Sequence, residues 1–512
     1  MYMNIFNNLE YKLFYQNIIR NYSWISPKGF DTGIKVYNCV SRRKEPLILK
    51  RKNVVTWYTC GPTVYDSSHI GHASCFIKLD IIQKILSNYF KYNVITCMNI
   101  TDVDDKIIKR ASELGVKCTE LTKKYEKELW FDLKCLKVEE PTVVLRVTEQ
   151  IPYIISFIEK LIDNGQAYKA SDHSVYFDVN SVKKYGKLQN IGTQEENKPS
   201  GVKKHVMDFA LWKSRKDEDL FWKSPWGEGR PGWHIECSAL ASKIFGNGSN
   251  IDIHAGGIDL RFPHHENEEA QSCAYHDTPQ WVNYWMHTGH LQLSNSEKMS
   301  KSLGNTLLIQ EMLKSVSPEV FRMACSMSRY EYNMEYSEKL IATAKSNYNN
   351  FKNCIQSCNE FKNGFLKASI NSELLNEHIH KCSNNIHSAL CDDFDTPSVI
   401  KYLNQLVSTT NSMLHSTPSS VDQQGLVSIL GVQNLISSIL ESFGFRLNDS
   451  EIISKDFNEI VDVLNVFRQD VRNLAIVDKN KELLQLCDKV RDNAKKCGIN
   501  FKDRGQVSSW SL

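Results

Sequence analysis

Two short apolar runs flank one amphipathic segment in the first part of the chain. Residues 54–60 have the composition of a buried strand, and a Gly-Pro pair that favours a turn follows them. Apolar side chains then recur at the helical spacing i, i+3, i+4 and i+7 over residues 82–89. Residues 93–98 are predicted to form a second strand. A strand, a helix and a strand in succession predict the βαβ unit of a parallel sheet.

The periodicity changes twice farther along the chain. It is mostly helical over about 110–205, strand and Gly-rich loop signals return over 209–293, and beyond about 315 the pattern is helical to near the end. Polar stretches at 363–371 and 416–425 indicate loops between those helices. An α/β part followed by an all-helical part predicts a catalytic domain with a helical appendage.

Composition and charge narrow the class of protein. At 512 residues the chain is too long for one compact core, and 41% hydrophobic with 24% charged residues is typical of a globular protein. The formal net charge of +3 means that any nucleic-acid surface must be local. No uninterrupted apolar run reaches about 18 residues, so no membrane span is expected. The 15 cysteines are scattered, which indicates a reducing compartment.

The first 30 residues differ from the rest of the chain. Their only acidic residue is Glu10, against the basic residues Lys12, Arg20 and Lys28. A basic, acid-poor leader is typical of an organellar transit peptide, and it is too polar for a secretory signal. The alternative is a disordered extension from a genome that favours Lys and Asn, so both interpretations of residues 1–35 stay open.

Two histidines stand where a helix is predicted to begin. His69 and His72 are three residues apart and lie on one helix face, with Gly71 between them. The free N–H groups and the dipole at a helix N-terminus favour a bound phosphate, and glycine lets a nucleotide approach the backbone. Alone, this spacing is a weak signal, because chance surface pairs and metal ligands share it.

A lysine-rich segment follows the α/β part. Lys298 and Lys301, three residues apart on a predicted loop, would close on a polyphosphate and neutralise the charge that grows in a transition state. Taken alone, the segment also fits a solvated basic loop.

Four residues of metal-binding type are spread widely along the sequence: Cys60, Cys237, His264 and Glu268. The last two are i and i+4, so both would project from one face of a helix that starts near Pro263. Two thiolates, one imidazole and one carboxylate are a ligand set that suits zinc. No CxxC spacing is present, so spacing alone does not find this site, and a structural role is the simpler interpretation of each residue taken singly.

The histidine and lysine segments belong to one recognisable arrangement. HIGH and KMSKS occur in that order about 225 residues apart, and together they resemble the signature pair of class I aminoacyl-tRNA synthetases. Over roughly residues 35–512, six segments resemble cysteinyl-tRNA synthetase in that family's order: TCGPTVYD, NITDVDDKI, DFALWK, GRPGWHIECS, FPHHENE and KMSKS. The resemblance therefore covers almost the whole chain.

The resemblance implies the ligands and the residues that bind them. One zinc ion per chain would select cysteine by its sulfur and would be bound by Cys60, Cys237, His264 and Glu268. The expected catalytic residues are His69, His72, Lys298 and Lys301. ATP, with Mg²⁺, would lie against these four residues and Gly71. Cysteine would contact Gly61, Thr101, Trp233 and His264.

The implied reaction has two steps, formation of cysteinyl adenylate from L-cysteine and ATP and transfer of cysteine to the 3′ end of tRNA(Cys). This is the activity of an ATP-dependent cysteine–tRNA ligase. The implied fold is a Rossmann-like α/β catalytic domain with an inserted connective segment, followed by an all-helical C-terminal region. We predict the catalytic domain over 36–315 with its insertion at about 110–205, a connecting region over 316–380, and an anticodon-binding domain and tail over 381–512.

Two segments depart from the family pattern. The Gly-rich loop contains Ala255 and Ile258 where bacterial members have GGGSD, and the tail beyond Arg504 is similar but not identical to the family's terminal Trp segment. The loop favours a eukaryotic, organellar branch. With the acid-poor leader, it predicts the mitochondrial matrix, and the cytoplasm is the alternative. A monomer without membrane association is expected.

Two other functions fit part of the pattern. A ligase that joins cysteine to a small amine would reuse the same catalytic domain, although it would not need the long helical C-terminus. A non-catalytic tRNA-binding paralogue would keep the helices, although it would have no use for the HIGH, KMSKS and zinc residues together.

Overall fold

The computed structural model describes residues 24–189, 201–215, 220–246, 250–293, 306–416, 423–447, 454–504 and 507–511. Contacts divide the chain into two compact units, Met1–Phe445 and Arg446–Leu512. The predicted order, α/β first and helices afterwards, is confirmed.

The strands are β1 (Phe30–Asn38), β2 (Arg43–Leu49), β3 (Val54–Thr59), β4 (Asn93–Ile100), β5 (Val143–Arg146), β6 (Ala167–Lys169), β7 (Val175–Phe177), β8 (Phe209–Ser214), β9 (Trp222–Ser224), β10 (Gly227–Pro231), β11 (Ile251–Gly257), β12 (Val282–Thr288), β13 (Leu291–Leu293), β14 (Met334–Tyr336), β15 (Asn500–Arg504) and β16 (Val507–Ser511). The α-helices are α1 (Ile70–Lys84), α2 (Asp105–Leu114), α3 (Cys118–Cys135), α4 (Ile151–Asp163), α5 (Trp233–Phe245), α6 (Glu266–His276), α7 (Ile309–Met312), α8 (Pro318–Ser326), α9 (Glu338–Lys362), α10 (Ser372–Cys391), α11 (Thr396–Leu414), α12 (Gln423–Ser442), α13 (Ser454–Val477) and α14 (Lys481–Lys496). Short 3-10 helices span Val147–Gln150, Val179–Ser181 and Ile258–Leu260, and π-helical turns span Ile85–Tyr89 and Arg261–His265.

A five-stranded parallel sheet organises the α/β part of the chain, with the strand order β12-β11-β3-β4-β5. The strand β3 runs beside β4, with Val54 opposite Asn93, and α1 joins the two, so the predicted βαβ unit is confirmed. Because β4 lies on one side of β3 and β11 on the other, the strand order reverses between β3 and β11. Ligands bind outside the carboxyl ends of the strands at such a switch point.

A second sheet combines two strands of the predicted insertion, β6 and β7, with β8, β9 and β10, which follow it. The strand signals over 209–293 predicted the last three, whereas the helical pattern over about 110–205 did not predict β6 and β7. The sheet is antiparallel, with the order β6-β7-β8-β10-β9. The helical content expected over about 110–205 comes from α2, α3 and α4, whereas β6 and β7 are strands of 3 residues each. Strands this short leave too few positions for an alternating pattern. The sheet shares a buried apolar cluster with the neighbouring helices, which includes Phe157, Trp212 and Leu240.

The helices α9, α10, α11 and α12 pack against one another after the α/β part. Their buried apolar side chains include Phe351, Leu390, Leu403 and Ile436. The polar stretch 363–371 is the loop between α9 and α10, as predicted. Residues 417–422 of the second predicted loop lie outside the described residues.

Among the described residues, one helix meets the length and composition of a membrane span: Gly425–Ser442, with a mean hydropathy of 1.3. In the structure 44% of this stretch is buried. Ile429, Val432 and Ile436 are among its buried side chains. The core helix of a bundle passes the same test, because its apolar stripe faces its neighbours.

The unit Arg446–Leu512 combines two helices with a terminal hairpin. The helices α13 and α14 pack on each other, and β15 and β16 pair in an antiparallel hairpin that the sequence did not predict. The buried cluster of this unit consists of Val461, Ala494, Ile499 and Phe501. Only part of the apolar surface of α13 is buried, since Ile460 is 62% exposed and Phe467 is 65% exposed.

Candidate active site and metal centre

The carboxyl ends of β3, β11 and β12 open onto a cavity of about 530 Å³. Cys60 directly follows β3, Gly257 ends β11 and Thr288 ends β12, and all three line this cavity. At Gly61 the chain passes so close to β4 that an added Cβ would lie 1.6 Å from the carbonyl oxygen of Asn99. Glycine is required at this turn because it has no side chain to obstruct the approach of the backbones.

The four residues predicted to bind metal lie together beside the cavity. Cys60 Sγ lies 3.5 Å from Cys237 Sγ and 3.2 Å from Glu268 Oε1. His264 Nε2 lies 3.0 Å from Glu268 Oε1, and one ligand atom from each residue lies within 4.8 Å of the others. All four side chains are buried. They come from three parts of the chain that are distant in sequence: the end of β3, the helix α5, and the π-helical turn together with the start of α6.

The chemistry of this donor set fits a zinc ion. Two thiols, one imidazole and one carboxylate form a ligand set that is typical of tetrahedral zinc. Within the described part of the chain, Oε2 of Glu268 is buried without a hydrogen-bond partner. A buried carboxylate oxygen is costly when nothing accompanies it, and a cation would remove that cost.

Burial controls the proton equilibria of the cluster. It raises the pKa of the Cys60 thiol and the pKa of the Glu268 carboxyl well above their ordinary values. Burial acts in the same direction on Cys237, but the hydrogen bond with Cys60, together with the hydrogen bond and the electrostatic interaction with His264, outweighs it and lowers the pKa of that thiol. The protein alone therefore keeps Cys60 and Glu268 protonated. A divalent cation would reverse this preference, because metal ligands bind in their deprotonated forms.

Two aromatic neighbours fix the ring of His264. His234 Nδ1 lies 2.9 Å from His264 Nδ1, which leaves Nε2 of His264 to face Glu268. The Trp233 ring stacks on His264 with the ring centroids 4.3 Å apart. Burial lowers the pKa of His234 well below its ordinary value, so that its ring is neutral. The sequence interpretation missed His234, and its only signal was its position between Trp233 and the cysteine of WHIEC.

Two further buried histidines lie beside the cluster, and the sequence did not single them out. His254 Nε2 lies 3.3 Å from Cys60 Sγ. His265 Nδ1 lies 2.9 Å from His287 Nε2. Burial lowers the pKa of His254 and of His265 well below the ordinary value. His254 alternates with apolar residues along β11, which also fits a core histidine, and this explains why the pattern did not reveal it.

The residues expected to contact cysteine lie at two depths: two of them line the cavity, and two are buried behind its wall. Gly61 and Trp233 line the cavity, and the Trp233 side chain is 37% exposed. His264 is buried behind Trp233. Thr101 is buried in a hydrogen-bond chain in which Asn99 Nδ2 donates to Thr101 Oγ1 at 3.1 Å and Thr101 Oγ1 donates to a carboxylate oxygen of Glu236 at 3.1 Å. The structure thus brings Gly61, Trp233 and His264 next to the metal cluster, and it places Thr101 one layer deeper.

The residues expected to bind ATP that the structure describes lie at the N-terminus of α1. His69 Nδ1 accepts a hydrogen bond from the Gly71 N–H at 3.1 Å, and the His69 N–H donates to His72 Nδ1 at 3.3 Å. The two rings stack with their centroids 3.9 Å apart. All three residues line the same cavity as Cys60, so a nucleotide phosphate there would meet a helix N-terminus. Lys298 and Lys301 lie outside the described residues.

The two unusual residues of the Gly-rich loop, Ala255 and Ile258, are not among the described residues that line the cavity. Ala255 is buried in the sheet opposite Met286 of β12. Ile258 begins the short 3-10 helix after β11. At Gly256, which the loop keeps, an added Cβ would lie 3.0 Å from the ring of His265. The glycine therefore stands where the neighbouring histidine approaches the backbone.

Comparisons with known proteins establish the family. The family model described as tRNA synthetases class I (C) catalytic domain matches residues 47–346. A probable mitochondrial cysteine–tRNA ligase of Xenopus tropicalis is 42% identical over 96% of this chain and 91% of its own length. The chain belongs to the cysteine–tRNA ligases of class I.

Other cysteine–tRNA ligases match over a similar extent. The one from Encephalitozoon cuniculi is 39% identical over 93% of this chain and 99% of its own length. Among solved structures, Mycobacterium tuberculosis methionyl-tRNA synthetase in complex with methionyl-adenylate has a TM-score of 0.59 at 12% identity, over 81% of this chain and 94% of that chain. That likeness shows the fold alone. The predicted class I fold, a Rossmann-like catalytic domain followed by helices, is confirmed.

Proposed function

We propose that this ATP-dependent ligase charges tRNA(Cys) with L-cysteine and selects the amino acid by its sulfur, through a zinc ion bound by Cys60, Cys237, His264 and Glu268. The observation that carries the proposal is the buried donor set beside a cavity that His69 and His72 also line. An amino acid at the metal and a nucleotide at the helix N-terminus would thus meet in one cavity.

Selection of cysteine over serine is the reason for a metal at this place. When bound, zinc would supply a soft Lewis acid that bonds a thiolate at about 2.3 Å and takes a hydroxyl poorly. A steric pocket alone distinguishes near-isosteric substrates by only about 10- to 200-fold. The protein's own part is to bury the ligands and to leave Trp233 beside them at the cavity wall, where it would pack on the bound amino acid.

The first step needs no protein nucleophile. The carboxylate of cysteine attacks the α-phosphate of ATP, which forms cysteinyl adenylate and releases pyrophosphate with its Mg²⁺. His69 and His72 would position the nucleotide at the N-terminus of α1. Lys298 and Lys301 would neutralise the charge that develops on the phosphates.

The second step transfers cysteine to a hydroxyl of the 3′-terminal adenosine of tRNA. We assign catalysis to residues 36–315, with the insertion at about 110–205, a connecting role to 316–380, and anticodon binding to 381–512. The separate compact unit Arg446–Leu512, with its own buried cluster, supports a distinct role for the end of the chain. We expect the chain to act as a monomer.

We assign the protein to the mitochondrial matrix. The Xenopus tropicalis relative is named mitochondrial, whereas a 37% identical relative from Dictyostelium discoideum is named cytoplasmic. The acid-poor start of the chain favours the matrix. A fluorescent reporter fused to residues 1–35 should enter mitochondria, and a diffuse cytosolic signal would contradict the assignment.

Elemental analysis and pyrophosphate exchange test the proposal together. The purified protein should contain about one zinc ion per chain and should catalyse cysteine-dependent exchange with and without tRNA. Metal-free protein that activates cysteine fully would contradict the zinc assignment. Transfer of cysteine to a small amine instead of tRNA would favour the other ligase, and tRNA binding without any exchange would favour the non-catalytic paralogue.

A further inference from the structure

A second set of ligand atoms overlaps the first one beside the cavity. It shares Cys60 and Glu268 with the first set and replaces the other two ligands by His254 and His265. Its four ligand atoms also lie within 4.8 Å of one another, and all four side chains are buried.

Three contacts in this second set are close in length to the edges of a tetrahedron around one ion. His254 Nε2 lies 3.3 Å from Cys60 Sγ and 3.5 Å from Glu268 Oε2, and His265 Nε2 lies 3.9 Å from Glu268 Oε1. With zinc–ligand bonds of about 2.0–2.3 Å, tetrahedral edges are about 3.3–3.8 Å long. These contacts, which involve both carboxylate oxygens of Glu268, bring the donor atoms close to the spacing around a single cation.

Two atoms of the second set are buried without a hydrogen-bond partner among the described residues. They are Nε2 of His265 and Oε2 of Glu268. An unpaired buried ring nitrogen or carboxylate oxygen costs free energy, and each such atom in a folded protein requires an explanation. One cation between them would satisfy both.

The surroundings hold the two histidine rings in this orientation. His265 Nδ1 is paired with His287 Nε2 at 2.9 Å, so its other ring nitrogen faces the shared ligands. Metal-binding histidines have their second ring nitrogen in a hydrogen bond of this kind. The Trp285 ring packs against both histidines, with centroid distances of 4.3 Å to His254 and 4.8 Å to His265.

We propose that His254 and His265, with Cys60 and Glu268, form a second position for the same divalent ion, which keeps the metal in the pocket when Cys237 or His264 is withdrawn. The inference rests on the proposed metal site. Because two ligands are shared, one ion occupies one position at a time. One thiolate, two imidazoles and one carboxylate suit Zn²⁺ or Co²⁺.

The test uses the full chain and measures metal rather than activity. Cys237→Ala removes a ligand of the first set only. After purification with Zn²⁺ it should hold as much metal per chain as the unaltered protein, and X-ray absorption should give one sulfur neighbour of the ion in place of two. Adding His254→Gln and His265→Gln to Cys237→Ala should abolish metal binding.

A matched control adds His276→Gln to Cys237→Ala instead. His276 is a partly buried histidine at the end of α6, the helix that carries Glu268, but its Nε2 pairs with Ser242 Oγ at 2.9 Å, away from the ligand set. This variant should keep its metal. Retention of metal in the variant that lacks Cys237, His254 and His265 would overturn the proposal.

The remaining outcomes separate this inference from the proposed function. A metal-free Cys237→Ala protein with an unchanged circular dichroism spectrum would overturn the second position and leave the first one standing. Metal-free unaltered protein would overturn both. If Cys237→Ala does not fold, His264→Gln tests in the same way whether the second set retains the metal, because it removes the other ligand that belongs only to the first set.

Discussion

Gly61 sets the position of the first metal ligand. Its N–H donates to Asn99 Oδ1 at 2.8 Å, and its Cα lies so close to β4 that a Cβ would lie 1.6 Å from the Asn99 carbonyl oxygen. The same asparagine accepts a hydrogen bond at 3.2 Å from the hydroxyl of Tyr58, which lies two residues before Cys60. These contacts with β4 therefore fix the backbone that carries the Cys60 thiol.

Gly61→Ala should lower the melting temperature and the zinc content together. The methyl group cannot enter without moving the end of β3, and overpacking of this kind costs about 1–3 kcal/mol. Thermal unfolding followed by elemental analysis measures both effects. Gly431→Ala is the control: its Cβ would meet only Ile379 Cδ1, at 3.3 Å, within a helix where alanine is favoured. An unchanged melting temperature for Gly61→Ala would show that the turn has room.

Lys301→Ala should slow the formation of cysteinyl adenylate by about 10²–10³-fold while the affinity for cysteine stays nearly constant. The lysine is assigned to charge that develops on the phosphates, and cysteine binds at the metal. Pyrophosphate exchange measures the first quantity, and equilibrium dialysis of cysteine measures the second. Lys314→Ala, a change at an exposed lysine after the same segment, should alter neither. Weaker cysteine binding with an unchanged rate of adenylate formation would show that the role assigned to Lys301 is wrong.

At the scale of elements, local patterns sufficed for β3 and β4, whereas the helical spacing over 82–89 falls on the last three residues of α1 and on the π-helical turn Ile85–Tyr89. Local patterns did not suffice for β6 and β7, which have 3 residues each, or for the terminal hairpin, whose strands have 5 residues each, because so few positions show no clear alternation. The same distinction applies to the metal ligands, since local spacing predicts some of them and not others. His264 and Glu268 follow from helical spacing, whereas Cys60 and Cys237 come together only through the sheet, and only the family resemblance selected them. Nothing in the sequence pattern distinguished His254 from a core histidine.

The connection between α10 and α11 carries a buried carboxyl that joins three parts of the unit Met1–Phe445. Asp393 Oδ1 accepts a hydrogen bond from the Tyr37 N–H at 3.0 Å and from the Tyr330 hydroxyl at 2.9 Å. Burial raises the pKa of Asp393 to about 7, and Glu331 adds to this effect while Lys44 opposes it. The carboxyl is thus protonated in the folded chain over a range of pH in which it is ionised in the unfolded chain.

The contribution of Asp393 to stability should consequently fall as the pH rises from about 4 to about 7. An unfolded aspartate ionises near pH 4, so the contribution of Asp393 is complete below that pH and is lost by about pH 7, with a size on the order of 4 kcal/mol. Asp393→Asn is neutral and keeps the accepting oxygen, so it should match the unaltered protein at about pH 3.5, where the aspartate is protonated in both states, and exceed its stability at about pH 8. Urea unfolding at both values measures this. Asp392→Asn, at the more exposed neighbour, is the control. Parallel pH profiles for Asp393→Asn and the unaltered protein would contradict the argument.

At the scale of the whole molecule, the described residues assigned to activation lie in the unit Met1–Phe445. The unit Arg446–Leu512 presents different chemistry. Arg468 is buried and pairs with Asp503 at 2.7 Å, which removes it from any phosphate contact. Exposed basic residues remain on α14, among them Lys489, Lys495 and Lys496. With the exposed apolar side chains of α13, they form a surface on which phosphates and unpaired bases of RNA would both find partners.

Ending the chain after Phe445 should therefore separate activation from charging. The shortened protein keeps Cys60, Cys237, His264 and Glu268, the HIGH residues and the KMSKS segment, so cysteine-dependent pyrophosphate exchange should remain largely intact. Aminoacylation of tRNA should fall by orders of magnitude, and tRNA binding should lose much of its steep dependence on salt, because fewer phosphates are neutralised. Circular dichroism establishes first that the shortened chain is folded. Equal loss of exchange and charging in a folded protein would mean that the last 67 residues serve the catalytic domain, and that the anticodon is recognised elsewhere.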